Sequence, residues 1–340
     1  MRYAIRLHRH GGPEVLQWEK VGAGGTALAA QTAPLATDAV RLRQHAVGVN
    51  FIDIYQRSGL YPQPLPSGLG LEAAGVIEAV GAAVNEFRPG DRVAYADGPL
   101  TPIGGYAEVR DIPARYLVKL PDAIAFDTAA AMLLRGLTAQ YLLRRVHRVA
   151  PGDTILIHAA AGGVGLIVSQ WAKALGATVI GTVGSETKAA LALAHGCDHV
   201  ILPPWENLAA QVRDITGGRG VDVVYDSIGK DTFMASLDCL RPLGMMASFG
   251  NASGPPAPVD VRELAKRGSL FLTRPTLFTY TARREDLLAM ADELFAVVLS
   301  GQVRIEINQR YPLREAAQAH SDLAARKTTG STVLIPHHGD

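Results

Sequence analysis

The feature that most constrains this fold is a six-residue turn, Ala160-Ala161-Gly162-Gly163-Val164-Gly165, set between two apolar segments of different period. Upstream, Thr154-Ile155-Leu156-Ile157-His158 has the length and β-branched content of a strand buried on both faces. Downstream, Val164, Ile167, Val168, Trp171, Ala172 and Leu175 recur at steps of mostly three and four, the spacing of one helix face. The turn matches G-x-G-x-x-G with alanine in the first place. In that pattern the glycines make the bend, let backbone touch a pyrophosphate and allow close helix-strand packing, while the helix N-terminus offers N–H groups to the anion. A glycine pattern alone says little in a chain with 35 glycines. Its position after a strand and before an amphipathic helix makes it a dinucleotide site.

The alternation continues. Val179–Val183 reads as a strand, Lys188–Ala194 as a helix stopped at Gly196, and Val200–Leu202 as a strand. A helix over Leu208–Ile215 closed by Gly217-Gly218, the strand Val221–Asp226, a helix near Thr232–Leu240 and the strand Met245–Phe249 follow. Such a succession implies a doubly wound parallel sheet with helices on both faces, because each crossover is right-handed and covers one side. Before Gly136 the chain instead shows short extended runs, such as Ala39–Arg43 and Ala73–Val80, broken by Gly, Pro and Asn, and reads as mainly β. The low-complexity stretch from Gly22 to Ala33 reads as a surface loop, and Pro62-Gln63-Pro64-Leu65-Pro66 as an irregular connector. A length of 340 residues fits two such domains.

Composition narrows the function. Lys plus Arg is 33 against 32 for Asp plus Glu, so the chain lacks the basic excess of a nucleic-acid footprint. Cys197 and Cys239 are too few for a disulfide scaffold and point to the reducing cytoplasm. Arg2, Arg6 and Arg9 interrupt the N-terminal apolar residues, so no export signal is expected. Thr154 to Ala172 runs 19 residues without a formal charge, but its glycines and polar residues fit strand then helix rather than a membrane span. The ten His show no H-E-x-x-H spacing and no G-x-S-x-G elbow occurs, which removes those hydrolase readings. His158, leading into the glycine turn, reads as a satisfied structural residue, and the two cysteines as small buried hydrophobes rather than ligands of a zinc ion.

The cofactor follows from the end of the second strand of the alternating region. An NAD site places an acid there, about 20 residues on, to hold the ribose 2′-hydroxyl. Gly181-Thr182-Val183-Gly184-Ser185 provides none, and Lys188 follows Glu186; a cation with small hydroxyls suits a 2′-phosphate, so NADPH is expected.

Asn50–Tyr55, Ser58–Pro62, Gly68–Gly75, Gly90–Tyr95, the glycine turn, Tyr225–Gly229 and Ser248–Asn251 form a combination of segments. In combination they are similar to zinc-independent medium-chain dehydrogenases/reductases of the zeta-crystallin-like quinone oxidoreductase type. The resemblance implies a GroES-like β-rich catalytic domain over 1–135 and 275–340, a Rossmann NADPH-binding domain over 136–274, and a nicotinamide held in the cleft between them. It implies that Asn50, Phe51, Ile52, Asp53, Ile54 and Tyr55 line the nicotinamide and quinone, with Asn50, Asp53 and Tyr55 at the reacting end. Tyr141 would approach the cofactor, Gly162, Gly163, Val164 and Gly165 hold the pyrophosphate, and Gly184, Ser185 and Lys188 surround the adenosine phosphate. Ile228, Gly250, Asn251, Ala252, Ser253 and the Thr273-Arg274-Pro275 region would follow around the cofactor, and Arg326 would be the second cation on the 2′-phosphate. Zinc-dependent relatives carry Cys in the region of Asn50 and His where Leu71 stands, so no metal is implied. One departure is Pro203, where the family often has a tyrosine near the adenine.

The activity the resemblance implies is hydride transfer from NADPH to a quinone, with Asn50 and Tyr55 hydrogen-bonding the acceptor oxygen. Reduction of an enone or 2-alkenal by the same superfamily is the enzymatic alternative. A crystallin-like binding or structural role, RNA included, is the alternative of another class, and the balanced charge disfavours nucleic acid. A homodimer through the cofactor domains is implied, with Ser269-Leu270-Phe271-Leu272 as a candidate edge strand and an internal strand as the plainer reading.

Overall fold

The computed structural model describes residues 2–22 and 34–337, so the expected loop from Ala23 to Ala33 lies outside the described residues. The chain forms two compact units: Met1–Leu134 with Ile305–Asp340, and Arg135–Arg304.

The first unit begins with the hairpin β1 (Arg2–Leu7) and β2 (Leu16–Val21). Next come β3 (Ala39–Val49), α1 (Phe51–Ser58), β4 (Glu72–Val80), β5 (Arg92–Tyr95), β6 (Val109–Pro113), β7 (Val118–Lys119) and α2 (Phe126–Tyr141). The alternation of buried and half-exposed residues along β3 explains its strand form, and the side chains it turns inward join a core with Leu42, Val47, Ile77, Tyr95, Tyr106 and Leu334.

The second unit takes over within α2, which runs on into a π-helical turn, Leu142–Val146. It continues with β8 (Thr154–Ile157), α3 (Gly163–Ala174), β9 (Thr178–Thr182), α4 (Glu186–Ala194), β10 (His199–Ile201), α5 (Leu208–Ile215), β11 (Val221–Asp226) and α6 (Phe233–Cys239). It ends with β12 (Leu240–Ser248), α7 (Arg262–Lys266), β13 (Phe271–Thr273), α8 (Leu277–Tyr280) and α9 (Arg284–Leu299). The six strands are parallel in the order β10-β9-β8-β11-β12-β13. The order reverses between β8 and β11, and a crevice outside the C-terminal strand ends at such a reversal is where α/β sheets bind ligands. Leu156, Ile180, Val224, Met246 and Leu237 are buried together against this sheet, each stabilising the fold by about 1.5–3 kcal/mol.

The chain then returns to the first unit with β14 (Ile307–Pro312), α10 (Ala316–Ala324) and β15 (Ser331–Ile335). That unit's sheet runs β14-β15-β3-β4-β5-β7, with β6 also pairing β3.

Two boundaries differ from the sequence expectation. The return falls at Ile305 rather than 275, because α9 buries Leu287, Met290, Ala291, Leu294 and Phe295 within the second unit. Its polar face is tied to the chain after Gly136: Gln140 Nε2 donates to Glu293 at 2.8 Å, and Arg145 pairs with Asp286 at 2.6 Å. Strand β12 begins at Leu240 rather than Met245, since Leu240 pairs Val221 before an irregularity that resumes at Met245 opposite Val223. Pro242 and the left-handed Leu243 (φ 61°) fall inside that irregularity, where no strand periodicity is legible. Among the described residues no helix is long and apolar enough to cross a membrane.

Candidate active site and cofactor site

The glycine turn leaves β8 through Ala159, a left-handed alanine at φ 53°. Gly162 N–H closes the bend on Ala159 O at 2.9 Å, and Gly162 then caps α3 with extended backbone. The first-turn amides of α3, those of Gly163, Val164 and Gly165, have no carbonyl four residues back in the helix and are the groups an anion can accept from. Gly165 carries the tightest approach: a Cβ there would lie 2.4 Å from Ala159 O and 2.7 Å from Ala160 Cα. The alanine at the first motif position is accommodated by its neighbour. A Cβ on Gly181 of β9 would lie 2.7 Å from the Ala160 methyl, so the methyl gained at 160 fills the space left bare at 181.

A buried polar chain braces this end of the sheet. Thr182 Oγ1 and His158 Nδ1 are 2.9 Å apart, and His158 Nε2 and Ser236 Oγ 2.8 Å. Ser236 donates to Asp226 Oδ2 at 2.9 Å, which requires the His158 Nε2–H tautomer, with Nδ1 accepting from Thr182. Burial lowers the His158 pKa, against the opposing pull of Asp226, so the ring is neutral. Asp226 also accepts from Thr232 Oγ1 at 2.7 Å and from the amides of Ile228 and Gly229 at 2.7 and 3.0 Å. His158 is thus fully engaged inside the fold. Neither the Asp226 nor the Ser236 role was legible in the sequence.

Asp226 fixes Ile228 just past β11, and Ser253 joins that loop to the one after β12: its N–H and Oγ both donate to Ile228 O at 2.9 Å. Arg274 Nη1 donates to Ser248 O at 2.7 Å and Gly250 O at 3.3 Å, so it braces the segment of Gly250, Asn251, Ala252 and Ser253 by its backbone. Tyr141 is buried and stacked on Tyr280, with centroids 4.6 Å apart and planes 5° from parallel; desolvation holds its phenol well above the ordinary range. At α4, Gly184 and Ser185 are exposed, a Cβ on Gly184 would meet open space, and Ser185 Oγ caps the helix by accepting the Lys188 N–H. In the first unit, Arg326 follows α10 in the left-handed region at φ 59° and is exposed.

Also in the first unit, α1 carries the residues expected at the reacting end. Asn50 caps it: its N–H donates to Asp53 Oδ2 at 2.8 Å and its side-chain Nδ2 to Glu72 Oε2 at 2.8 Å. Glu72 Oε1 in turn accepts the Leu134 N–H at 2.7 Å. Asp53 is fully buried, held by the Asn50 amide and by the Tyr106 hydroxyl at 2.9 Å. Its carboxylate faces the fold, which fits positioning rather than contact with an acceptor. Tyr55 is buried at its ring, tilted against Phe51 (6.0 Å between centroids) and edge-on to Tyr61 (5.2 Å), while Phe51, Ile52 and Ile54 are half-buried. Glu72 and Tyr106 were missed as partners of this helix, since no local pattern links them to it.

Comparison with known proteins agrees with both units. A family model described as alcohol dehydrogenase GroES-like domain matches residues 36–122, and one described as zinc-binding dehydrogenase matches 163–294. The chain is 54% identical to a quinone oxidoreductase of Pseudomonas aeruginosa over 99% of this chain and 100% of that one. It belongs to the quinone oxidoreductase family. A crystal structure of Escherichia coli quinone oxidoreductase complexed with NADPH superposes with a TM-score of 0.93 at 47% identity, covering 98% of this chain and 100% of the other. A 2-haloacrylate reductase of Burkholderia sp is 47% identical over 99% of both chains. The zinc in one family description does not fit the residues of this member. Among the described residues no three His, Cys, Asp or Glu converge on a metal position. Cys197 and Cys239 are buried in the second unit, where burial pushes their thiols up to about 11 and about 12, away from the thiolate a zinc ion needs.

Proposed function

We propose that this chain reduces quinones with NADPH. The observation that carries the reading is the glycine turn at the sheet reversal, where Gly165 lets α3 start hard against the turn with its first amides presented to an anion. The 54% full-length identity to a quinone oxidoreductase and the likeness to an NADPH complex support it. NADPH, when bound, supplies the hydride from C4 of its nicotinamide.

In this reading the amides of Gly163 to Gly165 hold the pyrophosphate, Ser185 and Lys188 the 2′-phosphate with Arg326, and the braced segment from Ile228 and Gly250–Ser253 borders the rest of the cofactor. Tyr141, neutral, buried and stacked on Tyr280, backs the part of the site that it would approach. Asn50 has an amide N–H beyond the one given to Glu72, and this with the Tyr55 hydroxyl hydrogen-bonds the acceptor oxygen as negative charge grows on it. Asp53 holds α1 in place. Tyr55→Phe is therefore expected to lower quinone turnover about 10-fold, less than the ~10²–10³-fold of a lost oxyanion-hole donor because Asn50 still donates and a reduced quinone is a stabilised oxyanion. Steady-state kinetics at saturating NADPH read this directly, and an unchanged rate removes Tyr55 from the mechanism.

A second reading, reduction of an activated alkene, is favoured by the 2-haloacrylate reductase at 47% identity. Parallel assay of a quinone and an enone separates the two.

We also propose a homodimer built on β13, with the chain in the cytoplasm as its two buried thiols favour. Strand β13 is an edge of the six-stranded sheet, with Phe271 56% and Leu272 39% exposed. An open apolar edge is a template for pairing with a copy of itself. Leu272→Glu is expected to shift sedimentation from dimer to monomer; a wild-type monomer contradicts the proposal.

A further inference from the structure

Helix α1 is gripped by buried polar side chains on one face and by aromatic packing of Tyr55 on the other. Asp53 and Arg57, four residues apart, share the polar face, while Phe51 and Tyr55, also four apart, share the opposite one. From Asp53 a continuous polar chain runs through the first unit and back to Arg57. Tyr106 Oη donates to Asp53 Oδ2 at 2.9 Å, His320 Nε2 lies 2.9 Å from Tyr106 Oη, and Arg57 Nη1 lies 3.1 Å from His320 Nδ1. All four side chains are buried.

The directions are determined by chemistry. A guanidinium only donates, so His320 Nδ1 accepts and Nε2 carries the hydrogen, which goes to Tyr106. Burial, helped by the nearby Arg57, drops the His320 pKa to about 3, so the imidazole is neutral and its tautomer fixed. The chain therefore runs one way, Arg57 to His320 to Tyr106 to Asp53. The Tyr106 ring packs edge-on to His320 and against Gly70, whose left-handed backbone (φ 89°) brings a would-be Cβ within 2.2 Å of Tyr106 Cδ1. The exit of α1 is tied as well, by Arg57 Nε donating to Gly11 O at 3.2 Å and Gly11 N–H to Arg57 O at 3.0 Å.

We infer that Tyr106 and His320 are positioning residues of the acceptor site: they clamp α1 at both ends through Asp53 and Arg57, and so set where Asn50 and Tyr55 stand. The inference rests on the quinone-reductase reading and adds the residues that determine its acceptor geometry. A two-point hold matters because an eight-residue helix has little stability of its own, and a displacement of about 1 Å at a reacting group can cost ~10²-fold in rate.

The test is Tyr106→Phe, which keeps the ring and removes only the hydroxyl, beside His320→Gln and His320→Leu in the full chain. Acceptor kcat/KM is measured with 1,4-benzoquinone, and NADPH KM and Tm for each variant. Tyr106→Phe is expected to lower quinone kcat/KM at least ~10-fold with NADPH KM within about 2-fold. His320→Gln, which still presents an N–H donor, is expected to keep more activity than His320→Leu. If Tyr106→Phe lowers Tm and leaves quinone kcat/KM within about 2-fold, the clamp is structural only and the inference fails. Parallel loss in NADPH and quinone terms overturns it equally. Should His320→Leu not fold, Tyr106→Phe decides. A wild type that reduces no quinone sinks the underlying reading and the clamp with it, whereas an active wild type with unaltered variants sinks the clamp alone.

Discussion

Replacing Lys188 and Arg326 together by alanine is expected to raise the KM for NADPH at least ~10²-fold while leaving NADH within about 2-fold. A charge-assisted hydrogen bond to phosphate contributes roughly 1.5–3 kcal/mol, and two of them convert to that factor or more. NADH has no 2′-phosphate for either cation to meet, so its binding has nothing comparable to lose. Two local features favour the assignment. Ser185 satisfies the Lys188 backbone amide as helix cap, with no acid in the five residues through Ser185 to compete for the ribose. Arg326 follows α10 at the left-handed position (φ 59°) that commonly ends a helix, and its side chain is exposed where a phosphate can reach it. Steady-state kinetics with both cofactors check this, and equal weakening of the two would show that neither cation reads the phosphate.

Gly165→Ala is expected to destabilise the chain by about 1–3 kcal/mol and to weaken NADPH binding more than ~10-fold. The new methyl would lie 2.4 Å from Ala159 O, a backbone atom that cannot swing aside, so α3 has to move off β8. That displacement withdraws the first-turn amides from the anion. Alanine's helix preference over glycine, about 1 kcal/mol, acts the other way and is outweighed by the clash. Gly184→Ala is the internal contrast, since a Cβ there meets open space and no loss of stability is expected. Urea denaturation and NADPH fluorescence titration measure both effects. Wild-type values for Gly165→Ala would mean that the close approach of α3 to Ala159 does not set the position of the first-turn amides.

The second unit was largely legible because its signals are local. The glycine turn, the 3.6-period face of α3 and the limits of α5 and β11 all sit within a few residues of their causes. Compensation was not legible in that way: Ala160 looks like a defect until Gly181, a strand away, is seen to lack the methyl that would meet it. The return at Ile305 was missed for a related reason, since α9 is assigned by what it packs against and not by its own pattern. For the proposed acceptor end, Asn50 and Tyr55 could be named only through resemblance. Their supports lie far along the chain: Glu72 is 22 residues from Asn50, Tyr106 is 53 from Asp53, and His320 is 263 from Arg57. No spacing rule spans such separations, and a buried tyrosine or histidine has the same sequence appearance whether it clamps a helix or fills a core.

The most direct test of the central claim is anaerobic stopped-flow oxidation of NADPH and NADH by the purified protein, with 1,4-benzoquinone and an α,β-unsaturated ketone as parallel acceptors. Rapid NADPH-selective reduction of the quinone, with little turnover of the ketone, is the predicted result. Preference for the ketone, or tight NADPH binding with neither acceptor reduced, would contradict it.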